Sequence, residues 1–181
     1  MKILRFILLT CFLGVISPNV FSQAQSSVRL EYVKKYKDIA IRQMKAHGIP
    51  ASIILAQACL ESADGKSKLA INANNHFGIK CDKYWKGEKV VHTSDDANKY
   101  FRKYKQVEDS FKDHSDFLCK RKHYESLFLL DIKDYKGWAH GLKKAGYATN
   151  PAYAERLIKI IEEYKLYIYD EEKAENEVWQ M

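Results

Sequence analysis

The segment Leu55-Ala56-Gln57-Ala58-Cys59-Leu60-Glu61-Ser62 is apolar on nearly every side until it reaches Glu61. Read as a helix, it places Glu61 in the last turn, where burial and the negative end of the helix dipole both disfavour a charged carboxylate. Both raise the pKa, which is what a carboxylic acid needs to donate a proton near neutral pH. The rival account is an ordinary solvated glutamate at a frayed helix end. Acid-assisted cleavage of a glycosidic bond usually takes a second carboxyl, as base or nucleophile. Asp95 and Asp96 are candidates, within Thr93-Ser94-Asp95-Asp96-Ala97-Asn98, although a plain polar turn accounts for them equally well. Asp64 is nearer in sequence, but beside Gly65 it reads as a turn cap.

Aromatic residues are dense around these positions: Phe77, Tyr84, Trp85, Tyr100, Phe101, Tyr104 and Tyr147. Sugar rings present apolar faces edged by hydroxyls, so stacking rings aided by Asn side chains make a saccharide groove. At least half of the seven are expected to serve packing instead. Cys59, two residues before Glu61, is a candidate nucleophile, yet inside so apolar a run it reads more simply as a small buried hydrophobe. No C-x-x-C or His cluster appears at zinc spacing, so neither a metal nor another cofactor is implied.

These residues must be positioned by a mostly helical chain. Residues 28–46 carry Leu30, Val33, Ile39, Ile41 and Met44 between charges, an amphipathic pattern. Gly48 ends it, and Pro50 suits the first turn of the next helix, residues 51–63. That helix lacks a polar stripe and so belongs in the middle of a domain; Gly65 marks its stop. Ser67 opens a short helix to Ala73. Between Phe77 and Tyr104, Gly, Tyr, Trp and Val alternate with polar residues, predicting a small β-hairpin. Helical periodicity resumes at Ser110, again over residues 135–145, and over 152–166 behind Asn150-Pro151, an N-cap followed by proline at the first helical position. From Asp170 the acidic tail is expected to fray or to be helical at the edge.

The 181 residues suffice for one domain, and 46% hydrophobic with 29% charged suits a soluble globular one. The first residues stand apart. Lys2 and Arg5 flank an apolar run over residues 3–16, followed by Pro18 and small polar residues. This is the build of a secretory signal peptide, and the run is shorter than the ~20 residues that span a bilayer. Cleavage is expected after Ser22 or Ala24, which gives a leader over 1–24, a domain over 25–169 and a tail over 170–181. Without Lys2 and Arg5 the chain keeps 28 basic against 23 acidic residues, a charge of +5. Nucleic acid, anionic membrane and the bacterial wall all fit such a surplus, but export argues against nucleic acid, and scattered lysines read as a solvated surface. A monomer without stable membrane insertion is expected. Cys59, Cys81 and Cys119 leave room for one disulfide and one free thiol.

Taken together, several pieces resemble the glucosaminidase domain of glycoside hydrolase family 73, found in flagellar peptidoglycan hydrolases and autolysins. They are Ile49-Pro50-Ala51-Ser52, Leu55-Ala56-Gln57-Ala58 running into Glu61-Ser62, Gly65-Lys66-Ser67 and Asn74-Asn75-His76-Phe77-Gly78-Ile79-Lys80. Phe101-Arg102-Lys103-Tyr104, Asp109-Ser110-Phe111 and the run from Ala145 through Asn150-Pro151 to Tyr153 follow in order. The resemblance implies a lysozyme-like fold, mostly α with a small β-hairpin lobe across the cleft. It implies an endo-β-N-acetylglucosaminidase acting on peptidoglycan strands. Glu61 would be the acid and Asp95 the second carboxyl, with sugar contacts around Asn75, Phe77 and Tyr147; Tyr147 is also expected to be catalytic, and the density of aromatics adds Trp85 and Tyr104 as sugar contacts. The family's second acid, often Glu, stands two residues after a Thr; Thr93-Ser94-Asp95 fits with the shorter Asp, and the substrate's acetamido group is a rival nucleophile. A muramidase, a lytic transglycosylase or a glycan-binding scaffold on the same fold stays open.

Overall fold

The structure, a computed structural model, describes residues 18–94 and 97–171, and within them the side chains of all but 18–25, 92–94 and 97–98. The apolar leader run, Asp95, Asp96 and the tail beyond Glu171 lie outside the described residues. In chain order come α1 (Pro18–His47), α2 (Ala51–Ser62), α3 (Lys68–Ala73), β1 (Lys89–Ser94), β2 (Ala97–Arg102) and α4 (Val107–Cys119). A 3-10 helix (Lys122–Leu129), α5 (Tyr135–Lys144), α6 (Tyr153–Glu163) and a second 3-10 helix (Leu166–Glu171) follow. The fold is mostly helical with one antiparallel ribbon, paired from Lys89↔Arg102 to Ser94↔Ala97. Among the described residues no helix is long and apolar enough to cross a membrane.

Helix α2 occupies the middle. Residues 51–59 are all buried, and α1, α5, α6 and the second 3-10 helix pack around them. Burying each of Ile53, Ile54 and Leu55 contributes roughly 1.5–3 kcal/mol, so a helix without a polar stripe gains most at the centre. Its first turn is capped from far along the chain. Asp170 accepts from the Ser52 N–H at 2.8 Å and from the Ser52 hydroxyl at 2.6 Å. Of the two expectations for the start of the tail, fraying does not hold at Asp170, which is buried and lies in the second 3-10 helix.

At its other end α2 stops earlier than Gly65. Ala63 (φ 51°) and Asp64 (φ 53°) already take the left-handed conformation, ahead of Gly65 at φ 80°. Each non-glycine residue there costs roughly 1–2 kcal/mol. Neighbouring groups hold the turn: the Ser62 hydroxyl donates to the Ala58 carbonyl at 2.6 Å and accepts from the Gly65 N–H at 2.7 Å. Asp64 is not a cap; its buried carboxylate takes two hydrogen bonds from Arg29 of α1, at 2.8 and 3.0 Å.

Other boundaries moved for identifiable reasons. Helix α1 is described from Pro18, upstream of the start expected near Val28, and residues 19–27 hold no glycine or proline to break it. Leu30, expected inward, is half exposed, and Tyr32 and Tyr36 fill that face with Val33, Ile41 and Met44. Helix α4 begins at Val107 because Gln106 and Asp109 form a reciprocal capping box. Asn150 does not cap α6 directly: its side chain accepts from the Ala152 N–H at 2.9 Å, making a turn before the helix starts at Tyr153. The hairpin is confined to 89–102, and the stretch from Phe77 to Glu88 is loop with one bridge, Lys80↔Phe101. Cys59, Cys81 and Cys119 are all free, so the described residues hold no disulfide.

Candidate active site

Helix α2 delivers Glu61 from the core to the rim of a cleft of about 420 Å³. Phe77 and Gly78 from the loop after α3, Phe117 from α4, Tyr124 from the 3-10 helix and Tyr147 after α5 line it as well. Burial is the main influence on Glu61 and raises its pKa, while the Tyr153 hydroxyl and the Arg156 charge pull it part of the way back. Tyr153 donates to Glu61 Oε1 at 3.1 Å. Its oxygen in turn accepts from Gln57 Nε2 at 3.0 Å. Gln57 stands one helical turn before Glu61, on the same face of α2. Because Gln57 can only donate through that nitrogen, the Tyr153 proton is directed at Glu61, leaving Oε2 as the oxygen that can carry a proton into the cleft.

Tyr147 stacks on Tyr153 with ring centroids 5.6 Å apart and an interplanar angle of 23°. Burial, then the neighbouring Tyr153 and Glu61, push its pKa well above the usual phenol range, so its hydroxyl stays neutral and can donate a hydrogen bond. Phe77 is buried and stacks face to face on His114 at 4.0 Å. Burial pushes the His114 pKa down to about 3, so a neutral imidazole backs the cleft floor.

The structure thus brings Glu61, Phe77 and Tyr147 to one cleft; the other expected sugar contacts are elsewhere. Asn75 is buried and its amide is engaged by backbone: Nδ2 donates to the Ile79 and Arg102 carbonyls at 3.0 and 2.8 Å, and Oδ1 accepts from the Ile79 N–H at 3.0 Å. It braces the loop that presents Phe77 and does not line the cleft with Glu61. Tyr104 is buried, its hydroxyl donating to Asp113 at 2.5 Å. Trp85 lies under the Arg102 guanidinium at 4.7 Å and donates through its indole N–H to the Glu88 carbonyl at 2.9 Å. These two rings fasten the root of the ribbon. Neither lines the cleft with Glu61. The described strands end at Ser94 and resume at Ala97, so Asp95 and Asp96 fall outside the described residues. Sequence reasoning missed Tyr153 and Gln57. The signal was there in Gln57, an amide inside an otherwise apolar helix four positions before the acid. Among the described residues no group of three or more His, Cys, Asp or Glu is arranged to hold a metal.

A helical body crossed by a short ribbon, with a carboxyl of raised pKa at the rim of an aromatic cleft, defines the glycoside hydrolase class of domain. This chain belongs to the glucosaminidase family, described as mannosyl-glycoprotein endo-beta-N-acetylglucosaminidase, which matches residues 37–166. It is 33% identical over 159 residues to the peptidoglycan hydrolase FlgJ of Vibrio parahaemolyticus, covering 81% of this chain and 51% of FlgJ. It is 39% identical over 140 residues to the exo-glucosaminidase LytG of Bacillus subtilis, covering 70% and 48%. The chain therefore spans about half the length of these relatives. Among solved structures, the glycoside hydrolase domain of Salmonella typhimurium FlgJ superposes with a TM-score of 0.65 at 29% identity, covering 76% of this chain and 88% of that one. The catalytic domain of the autolysin Auto from Listeria monocytogenes does so at 0.68 and 26%, covering 86% and 99%.

Proposed function

We propose that this chain is a peptidoglycan hydrolase of the cell envelope, an endo-β-N-acetylglucosaminidase that cuts the β-1,4 bond after N-acetylglucosamine. The observation that carries the reading is the Glu61 carboxyl. Burial favours its protonated form, Tyr153 occupies one oxygen, and the cleft is open to the other. Glu61 protonates the leaving glycosidic oxygen as positive charge develops on the sugar ring. Tyr147 donates its neutral hydroxyl to the sugar at the reacting centre, and Phe77 offers an apolar face. Asp95 supplies the second carboxyl, acting through water, since Asp is one methylene shorter than the Glu usual in the family. The protein is exported, its leader over residues 1–24 is removed, and it acts as a monomer on glycan strands.

Digestion of purified walls followed by mass spectrometry tests the assignment. Reducing-end N-acetylglucosamine is expected. Reducing-end muramic acid, or its anhydro form, overturns the linkage. A second reading is favoured by one relative, which is named an exo-glucosaminidase. Release of single terminal sugars, without internal fragments, would select it.

A further inference from the structure

Two arginines line the hollow that adjoins the cleft, and the fold treats them differently. Arg102 is only 11% exposed and is fully engaged, with Asp113 accepting twice at 2.9 Å and Asp82 Oδ2 accepting at 2.8 Å. Arg121 lines the cleft with Glu61 and also the adjoining hollow beyond Asp82 and Phe117. Its side chain is 41% exposed, and Nη2 lies 3.8 Å from the Asp82 oxygen already taken by Arg102, beyond hydrogen-bond reach. Among the described residues Arg121 donates no hydrogen bond. Its guanidinium nevertheless has a defined place, with the central carbon 4.0 Å from the centre of the Phe117 ring. This cation–π contact restrains the fork, so less freedom is lost when a ligand arrives. Lys80, exposed on the same cleft, adds a second positive charge.

A planar fork with unused donors matches a carboxylate, which it can bind through two parallel hydrogen bonds. A neutral polymer of N-acetylglucosamine offers none. Wall glycan offers two kinds: the lactyl carboxyl of muramic acid, free where the stem peptide has been removed, and the carboxyls of the peptide itself. We propose that Arg121 is a specificity-determining residue that recognises a carboxylate on wall glycan and so separates it from neutral glycans. This rests on the hydrolase reading above.

The test uses the whole protein and two substrates, intact walls and strands stripped of peptide. Each is supplied as prepared and with its carboxyls capped as neutral methylamides by carbodiimide coupling. On uncapped substrate R121A is expected to lose about tenfold or more in kcat/KM, chiefly through KM, the size of a charge-assisted hydrogen bond. On capped substrate the loss should shrink severalfold, and R121K, which keeps charge without the fork, should recover only part. A contrast on stripped strands assigns the lactyl carboxyl; a contrast on intact walls alone assigns the peptide. Equal losses with and without capping, or no loss at all, overturn the proposal. Binding of E61Q and of E61Q/R121A to the same four preparations reads the contrast without turnover. If wild type hydrolyses nothing while that binding contrast stands, the hydrolase reading fails and the Arg121 contact survives.

Discussion

Glu61 emerges from a helix whose residues 51–59 are all buried, whereas the ribbon leading toward Asp95 is largely solvated where its side chains are described. Lys89, Val91, Lys99 and Tyr100 are exposed, with Val91 and Tyr100 facing each other in register. Among the described side chains, Arg102, Trp85 and Asn75 fasten the root of the ribbon. The contrast bears on how the two carboxyls proposed above would divide their states. Desolvation at the end of α2 favours the protonated acid, and a solvated ribbon suits an ionised partner. The proposed division of roles is a division of hydration.

The comparison can be broken most sharply at Glu61. Glu61→Gln should lower wall hydrolysis by ~10²–10⁴-fold with an unchanged melting curve, as loss of a general acid does. More than a tenth of wild-type activity would remove Glu61 from that role. For the proposed second carboxyl, Asp95→Asn should cost ~10²-fold and Asp96→Asn only a few-fold, as expected for loss of one general base. The reverse ranking would move the second carboxyl by one residue. Wild-type rates in both would make the substrate's acetamido group the nucleophile. Tyr153→Phe sharpens the picture from the acid's side. The hydroxyl lowers the Glu61 pKa, so its loss should raise that pKa further. A general acid works while protonated and fails as pH rises through its pKa, so the alkaline limb of the kcat profile should move to higher pH. A limb that stays in place would mean that Tyr153 does not hold the working carboxyl. At the opposite end of α2, Asp170→Ala should leave kcat near wild type but cost ~1–3 kcal/mol in urea denaturation, because two buried Ser52 donors lose their acceptor.

The buried half of this comparison was the readable half. An apolar run interrupted by one Glu already marked α2 and its end, and Ser67 capped α3 where expected. Phe77 and Tyr147 fell on the cleft because their neighbours in sequence are loops that the helices carry there. Asn75 misled for a chemical reason: an amide that could bind a sugar hydroxyl serves a backbone carbonyl equally well, and only the three-dimensional partner decides. Tyr104 and Trp85 misled in the same way, since an aromatic ring suits a sugar face and a guanidinium alike. The two 3-10 helices left no periodic signature, their runs of eight and six residues being too short. Asp170 was unreadable because its partner, Ser52, lies 118 positions away.

The left-handed pair that closes α2 bears on how this chain can change over generations. Ala63 is exposed, and glycine would sit at φ 51° without the clash that a Cβ brings. Ala63→Gly should therefore raise the urea midpoint by up to ~1 kcal/mol of added stability. It should do so two residues from the proposed acid, where a more pliant turn would also let the carboxyl wander. A gain in midpoint with a small fall in kcat would mark the turn as a place where lineages trade robustness against aim. A gain with no fall would mark it as an unclaimed reserve, open to drift whenever a destabilising change elsewhere needs to be absorbed.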